Sequence, residues 1–202
     1  MSAPPVRPRT AITGGIAEGK STVLRMLEER GHRIASADDA ARAAFREDET
    51  NDALAALIGA EPPITGAELS LALTLATESG DDTLRRRVNA IMHPSVRVRM
   101  ESQGAEFDEV PLLLEACLQG RYDEVWVVCC SPEEKLVRLR ARYGEGGFAA
   151  IVEAQVAGSV REVFADRIIT TDGGLADTAR QVDEALQERD KFMSPRVDEG
   201  AE

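Results

Sequence analysis

The apolar positions of this chain repeat with two different periods, and the switches between them set the order of its elements. Thr10-Ala11-Ile12-Thr13 is a short strand-like run that opens directly into Gly14-Gly15. From Lys20 to Arg30 the spacing of Val23, Leu24 and Leu27 is that of a helix. Gly31 ends that helix, Arg33 to Ala37 can make a second short strand, and Asp38 stands where another helix would begin. From about Ala40 to Gln103 the pattern is helical, interrupted by turn signals at Gly59 to Gly66 and at Ser79-Gly80-Asp81-Asp82. Strand signals return weakly before Val110-Pro111, strongly at Glu124 to Cys130 and again at Asp166 to Thr171, each followed by a helical segment.

Strands alternating with helices predict an α/β fold in which a parallel sheet is covered by helices on both faces. The long strandless stretch predicts a helical insertion. Gly144-Glu145-Gly146-Gly147 lies between two helical segments, as a mobile lid would, with an ordinary interhelical loop as the alternative. The expected organisation is an N-terminal extension (1–9), a main domain (10–190) with the helical region over about 40–103 and the lid over about 138–160, and a disordered tail (191–202). Asp190 to Glu202 is mostly polar or charged, without sustained periodicity.

Composition narrows the function. The chain has 202 residues, 43% of them hydrophobic, enough for one sizeable core and a small inserted subdomain. Its formal net charge of −12 speaks against a general nucleic-acid or membrane-surface binder, since either partner rewards a basic face. Cys117, Cys129 and Cys130 make neither a disulfide framework nor a CxxC metal site and read as buried apolar residues of a reduced protein. With only His32 and His93 present, a histidine-rich metal centre is not expected. Met1 to Arg9 carries no apolar signal region and no apolar run reaches membrane-spanning length, so a soluble cytoplasmic protein is expected.

The chemistry is concentrated at Gly14-Gly15-Ile16-Ala17-Glu18-Gly19-Lys20-Ser21, which satisfies GxxxxGK[ST] with a strand before it and a helix after it. Such a loop curls so that several backbone N–H groups face phosphate oxygens, helped by the positive end of the helix that follows. Gly15 to Thr22 is therefore the expected nucleotide-binding segment, and a larger residue at Gly19 is expected to crowd the nucleotide. Lys20 would bridge the β- and γ-phosphates of ATP, the Ser21 hydroxyl would take one Mg2+ coordination position, and Thr22 would support an α-phosphate contact. No guanine-reading NKxD accompanies the loop, so a small-molecule kinase is the economical reading.

Further residues follow in an order that resembles the dephospho-CoA kinase family. Ile12 to Thr22 is similar to the family's LTGGIGSGKST, Ala37-Asp38 and Ala41-Arg42 sit where it has DADxxAR, and Asn89 to Pro94 resembles its NxxxHP segment. Pro111 to Glu115 matches PLLxE, and Gln155 and Ala165-Asp166 fall at later Q and AD positions. The resemblance spans about residues 10 to 185. It implies a nucleoside-monophosphate-kinase-like fold with a coenzyme-A-binding helical region and a lid, and phosphorylation of the ribose 3′-hydroxyl of dephospho-CoA by ATP.

Transfer to a hydroxyl needs a carboxylate to orient it and take its proton. Asp38, after the second strand and at the second acid of the family's DAD, is the candidate base; a helix cap is the alternative. Arg138 and Arg142, four apart on a helix and matching two family arginines, are candidates to meet charge developing on the phosphoryl group, with Arg140 competing. Glu115 and Leu112 of the PLLxE segment are expected on the substrate side, although a glutamate at a helix start looks the same. His93 is a weaker substrate-side candidate, since His93-Pro94 reads first as a helix break. Trp126 and Cys129 read as strand core, and Glu109 or Asp38 as a possible acid near the metal. The chain departs from the family at Ser36, Leu71, Tyr143 and Thr171; at Leu71 an expected arginine is missing, for which Arg85, Arg86 or Arg87 could compensate. A different small acceptor, or a nucleotide-binding module without catalysis, are the competing readings.

Overall fold

A computed structural model describes residues 9–193 apart from 82, 146 and 154. β1 (Thr10–Gly14) is buried at all its positions. Its uncharged run of small and apolar side chains allows this, and a central strand of a covered sheet demands it. After the glycine loop comes α1 (Lys20–Glu29), then β2 (Ile34–Ser36), α2 (Ala37–Phe45), α3 (Asp48–Ile58), α4 (Gly66–Glu78) and α5 (Thr83–Ser102). The remaining elements are β3 (Phe107–Glu109), β4 (Glu124–Cys129), α6 (Pro132–Tyr143), α7 (Ala149–Glu153), α8 (Gly158–Val163), β5 (Arg167–Thr170) and α9 (Gly174–Met193).

The strands form one sheet in the order β2-β3-β1-β4-β5. β1 pairs in parallel with β3 and with β4, and β4 with β5, so Thr10 lies opposite Phe107 on one side and Glu124 on the other. This is the expected α/β fold. The chain fills one side of β1 before crossing to the other, so the carboxyl end of β1 lies at a topological switch point, where ligands of open α/β sheets collect. The glycine loop starts there.

The chain divides into two compact units whose boundary falls inside β2, one formed by the chain up to Ile34 and from Ala105 onward, the other by Ala35–Gly104. In the first, Ile12, Val23, Leu27, Phe107, Trp126, Val128, Ile169 and Val182 make the core between the sheet and α1 and α9. Trp126 and Phe107, fully buried, meet edge to face at 5.2 Å between centroids, and each large side chain contributes about 1.5–3 kcal/mol by leaving water. Cys129 is only half-buried and Cys117 is exposed, so the cysteines are not the uniformly buried apolar residues expected.

In the second unit α5 packs against α2 and α3 over Leu54, Ala55, Ile64 and Val88. Asn51 is buried among these side chains and satisfies itself completely at the corner. Its Nδ2 donates to the carbonyls of Phe45 (3.2 Å) and Ile64 (3.1 Å), and its Oδ1 accepts the Ile64 N–H at 2.8 Å. α4 is held by a capping box between Thr65 and Glu68, and none of its residues is fully buried.

Three expectations are corrected. α5 runs without interruption through Pro94, so His93-Pro94 is not a helix break: one missing donor is outweighed by the packing of a twenty-residue helix on its neighbours. β3 is followed by turns over residues 111–117 and a three-residue 3-10 helix (Gln119–Arg121) rather than an α-helix. The N–H groups of Cys117 and Leu118 bond back to the carbonyls of Leu114 and Leu113, with Cys117 at φ 54, which ends the turn as a left-handed closure ends a helix. At the other end α9 continues past Asp190 to Met193, so the first residues assigned to the tail are helical; residues 194–202 lie outside the described residues.

Candidate active site

The loop from Gly15 to Gly19 is shaped by what surrounds it. Gly19 has φ +89, and a Cβ there would stand 2.8 Å from the methyl carbon and 2.9 Å from the hydroxyl of Thr171. It is thus Thr171, at the end of β5, that first excludes a larger residue, before any nucleotide is considered. At Gly15 a Cβ would come within 2.5 Å of Glu18 Oε1 and 2.6 Å of Arg161 Nη2.

Lys20 opens α1 and its ammonium is ion-paired with Glu109, the last residue of β3, with side chains 14% and 22% exposed. The strand order brings these together, because β3 and β1 are neighbours and both carboxyl ends meet the loop. Ser21 is exposed in the first turn of α1 and Thr22 is half-buried. Hard oxygen donors such as the Ser21 hydroxyl and the Glu109 carboxylate suit Mg2+, which takes few protein ligands and completes its shell with phosphate and water. Among the described residues no cluster of three or more His, Cys, Asp or Glu forms a self-sufficient metal cage.

Arg138 is held at the loop. Its Nη1 donates to Thr171 Oγ1 at 2.7 Å and to the Ala17 carbonyl at 3.4 Å, its Nη2 to the Thr171 carbonyl at 2.8 Å, and its Nε to Glu134 at 2.9 Å. Thr171 in turn donates to the Glu18 carbonyl at 3.0 Å. Arg142, one turn on, is exposed and lies over the neighbouring Tyr143 ring at 5.4 Å. Arg140, also exposed, pairs with Glu145 at 3.5 Å. Of the three arginines only Arg138 touches the loop.

Gln155 accepts the Ile16 N–H at 3.0 Å, and the following residue, Val156, donates its N–H to Glu115 Oε1 at 2.8 Å. Glu115 therefore anchors the segment that reaches the loop, and it belongs to an irregular turn rather than a helix start. Leu112, in the same turn, is half exposed. A cavity of about 670 Å³ opens beside the loop, with Glu18, Lys135, Leu136, Leu139, Phe148 and Val152 in its walls. Burial pushes the Cys129 thiol up to about 11, and Cys130 also upward, so neither is an activated thiolate.

Asp38 and His93 belong to the other compact unit. Asp38 is exposed in the first turn of α2, and it is not the cap: the hydroxyl of Ser36 accepts the Asp39 N–H at 3.4 Å and takes that part. His93 is exposed on α5.

The model of the dephospho-CoA kinase family matches residues 9–177. The chain belongs to the dephospho-CoA kinase family. A dephospho-CoA kinase of Parasynechococcus marenigrum is 35% identical over 84% of this chain and 90% of its own length, and one of Geobacillus kaustophilus is 34% identical over 89% and 95%. Among solved structures, a Thermus thermophilus protein superposes with a TM-score of 0.73 at 28% identity, covering 90% of this chain and 97% of its own. The dephospho-CoA kinase of Campylobacter jejuni gives 0.67 at 23% identity over 91% and 98%, which bears on the fold alone.

Three departures from the family pattern have structural employment here. Ser36 caps α2, Tyr143 lies under Arg142, and Thr171 ties Arg138 to the loop. Leu71, where an arginine was expected, is 59% exposed on α4. Arg161 and Lys135 were missed by sequence reasoning. Both contact Glu18, across 143 and 117 residues of chain, and no local spacing signals such a contact.

Proposed function

We propose that this protein transfers the γ-phosphoryl group of ATP to the ribose 3′-hydroxyl of dephospho-CoA, giving coenzyme A and ADP. The reading is carried by the P-loop lysine, Lys20, in a family match that runs nearly the length of the chain. In this reading Lys20 leaves Glu109 for the β- and γ-phosphates when nucleotide enters. The 3′ oxygen attacks the γ-phosphorus, the bond from that phosphorus to the bridging oxygen of ADP breaks, and the hydroxyl proton passes to Asp38. Mg2+, held by Ser21 with Glu109 nearby, would supply neutralisation of the phosphate charge. Arg138 is the guanidinium best situated to meet the transferred group, because Thr171 already fixes its orientation. Arg142 would join it only by leaving Tyr143.

Leu71 cannot hold a substrate phosphate. Arg85, Arg86 and Arg87, all exposed at the start of α5, are charges in that compact unit that could take its place. No helix among the described residues is long and apolar enough to cross a membrane, and the net charge of −12 disfavours nucleic acid as a partner.

The test is incubation with Mg-ATP and dephospho-CoA, following coenzyme A and ADP by chromatography, with Asp38→Asn in parallel. Stoichiometric product from the wild type, lost in the variant, is expected. ATP binding without product would instead indicate another acceptor or a nucleotide-binding module.

A further inference from the structure

The fifth residue of the phosphate loop is a glutamate, where the family opening has serine. A carboxylate there sets a negative charge against the phosphates the loop must hold, unless something cancels it. Glu18 is 4% exposed and all of its acceptor capacity is directed inward. Oε2 accepts the Gly15 N–H at 2.5 Å, Arg161 Nη2 lies 2.8 and 2.9 Å from the two oxygens, and Lys135 Nζ lies 2.6 Å from Oε1. Arg161, on α8, is 2% exposed and also donates to the Val156 carbonyl at 2.6 Å, while its Nε is buried without a hydrogen-bond partner. A guanidinium so removed from water, and incompletely bonded, is tolerated only because its charge is met by Glu18.

We propose that Glu18 and Arg161, assisted by Lys135, form a charge-compensated latch that positions the phosphate loop: the carboxylate braces the loop from inside, and the two cations cancel its repulsion of the nucleotide. The same segment that carries Arg161 also carries Gln155, which holds the Ile16 N–H. The chain that follows the glycine-rich stretch therefore holds the loop at Ile16 and Glu18, and Glu18 in turn holds Gly15. All three latch residues are positioning residues that act through the loop. The proposal rests on the P-loop binding ATP, but not on the identity of the acceptor.

It is tested by calorimetric titration of Mg-ATP, with no acceptor present, into wild type, Arg161→Met, Lys135→Met, Glu18→Gln and the doubles of Glu18→Gln with each cation variant, alongside thermal melts. Arg161→Met is expected to weaken ATP binding by at least about tenfold, and Lys135→Met severalfold, because each leaves an under-compensated carboxylate in the loop. Adding Glu18→Gln to either is expected to recover most of that loss. Residues in contact couple in stability too, so the deciding sign of charge compensation is recovery of ATP affinity beyond what the thermal melts of the same variants recover. The proposal is overturned if the double variants bind ATP more weakly than either parent, or if the single cation variants melt lower but bind ATP as the wild type does. Should Arg161→Met not fold, the partly exposed Lys135, in its single and double variants, decides by the same criterion. ATP binding intact but dephospho-CoA not turned over would count against the proposed reaction and leave the latch standing.

Discussion

At the residue scale the phosphate loop is governed by close approach. Gly19 combines a left-handed φ with a Cβ position 2.8 Å from Thr171, so Gly19→Ala has nowhere to go without moving β5 or the loop. We expect this substitution to lower stability by roughly 1–3 kcal/mol in urea denaturation and to abolish measurable ATP binding by titration. An alanine variant that binds ATP normally would show that the loop yields. Lys20→Met should act differently. It removes the charge that meets the phosphates while leaving the backbone alone, so kcat/KM for coenzyme A formation should fall by about a hundredfold or more, with only a modest change in melting temperature from the lost pairing with Glu109. The loop itself was legible in the sequence because its residues are contiguous and each has a local duty. Glu18 was legible only as one of its members, because its partner Arg161 lies 143 residues away and an arginine on a helix looks the same whether solvated or buried.

At the element scale, helices were legible where period and punctuation agree, and illegible where a local rule was outvoted. The turns at Gly59 and Gly80 end helices with left-handed glycines, as their sequence announces. Pro94 announces an end that does not come, because α5 is held along its length by α2 and α3. The turn after β3 is closed by a non-glycine, Cys117, so no glycine marks it. The least legible element contact is the polar hub at Asn51. Asn51→Leu keeps the size of the side chain but replaces the amide with an apolar group, stranding the Phe45 and Ile64 carbonyls and the Ile64 N–H. It should cost about 2–4 kcal/mol, read as a lower urea midpoint, since unmade buried hydrogen bonds penalise the fold more than made ones help it. A leucine variant as stable as the wild type would mean that water reaches those groups.

At the scale of the whole molecule, the α/β class followed from the alternation of periods, whereas the strand order did not. Periodicity says that β1 is buried but not that its neighbours begin at Phe107 and Glu124, and the switch point that gathers the site depends on that order. The balance of titrating groups is also a property of the whole fold. Hydrogen bonds from Ser131 hold the Asp172 carboxyl below its ordinary range, and Arg30 does the same for Asp183. For such groups the unfolded state binds protons more readily, so the stability they contribute is complete above the ordinary carboxylate range near 4 and is lost as pH falls through their lower folded values. Burial raises Asp108 against the opposing pull of Arg9, so its penalty is present at neutral pH and relieved by acid. The lowered groups are more numerous, and the protein should lose stability below about pH 4. Asp172→Asn isolates one contribution, because the amide oxygen can still accept from Ser131 while the charge is gone. Its melting temperature should lie below that of the wild type at pH 7, and the gap should narrow as pH falls below the ordinary carboxylate range and the wild-type carboxyl takes up its proton. A gap that stays constant with pH would mean that Asp172 contributes through shape alone, and that the acid transition is set by the other carboxylates.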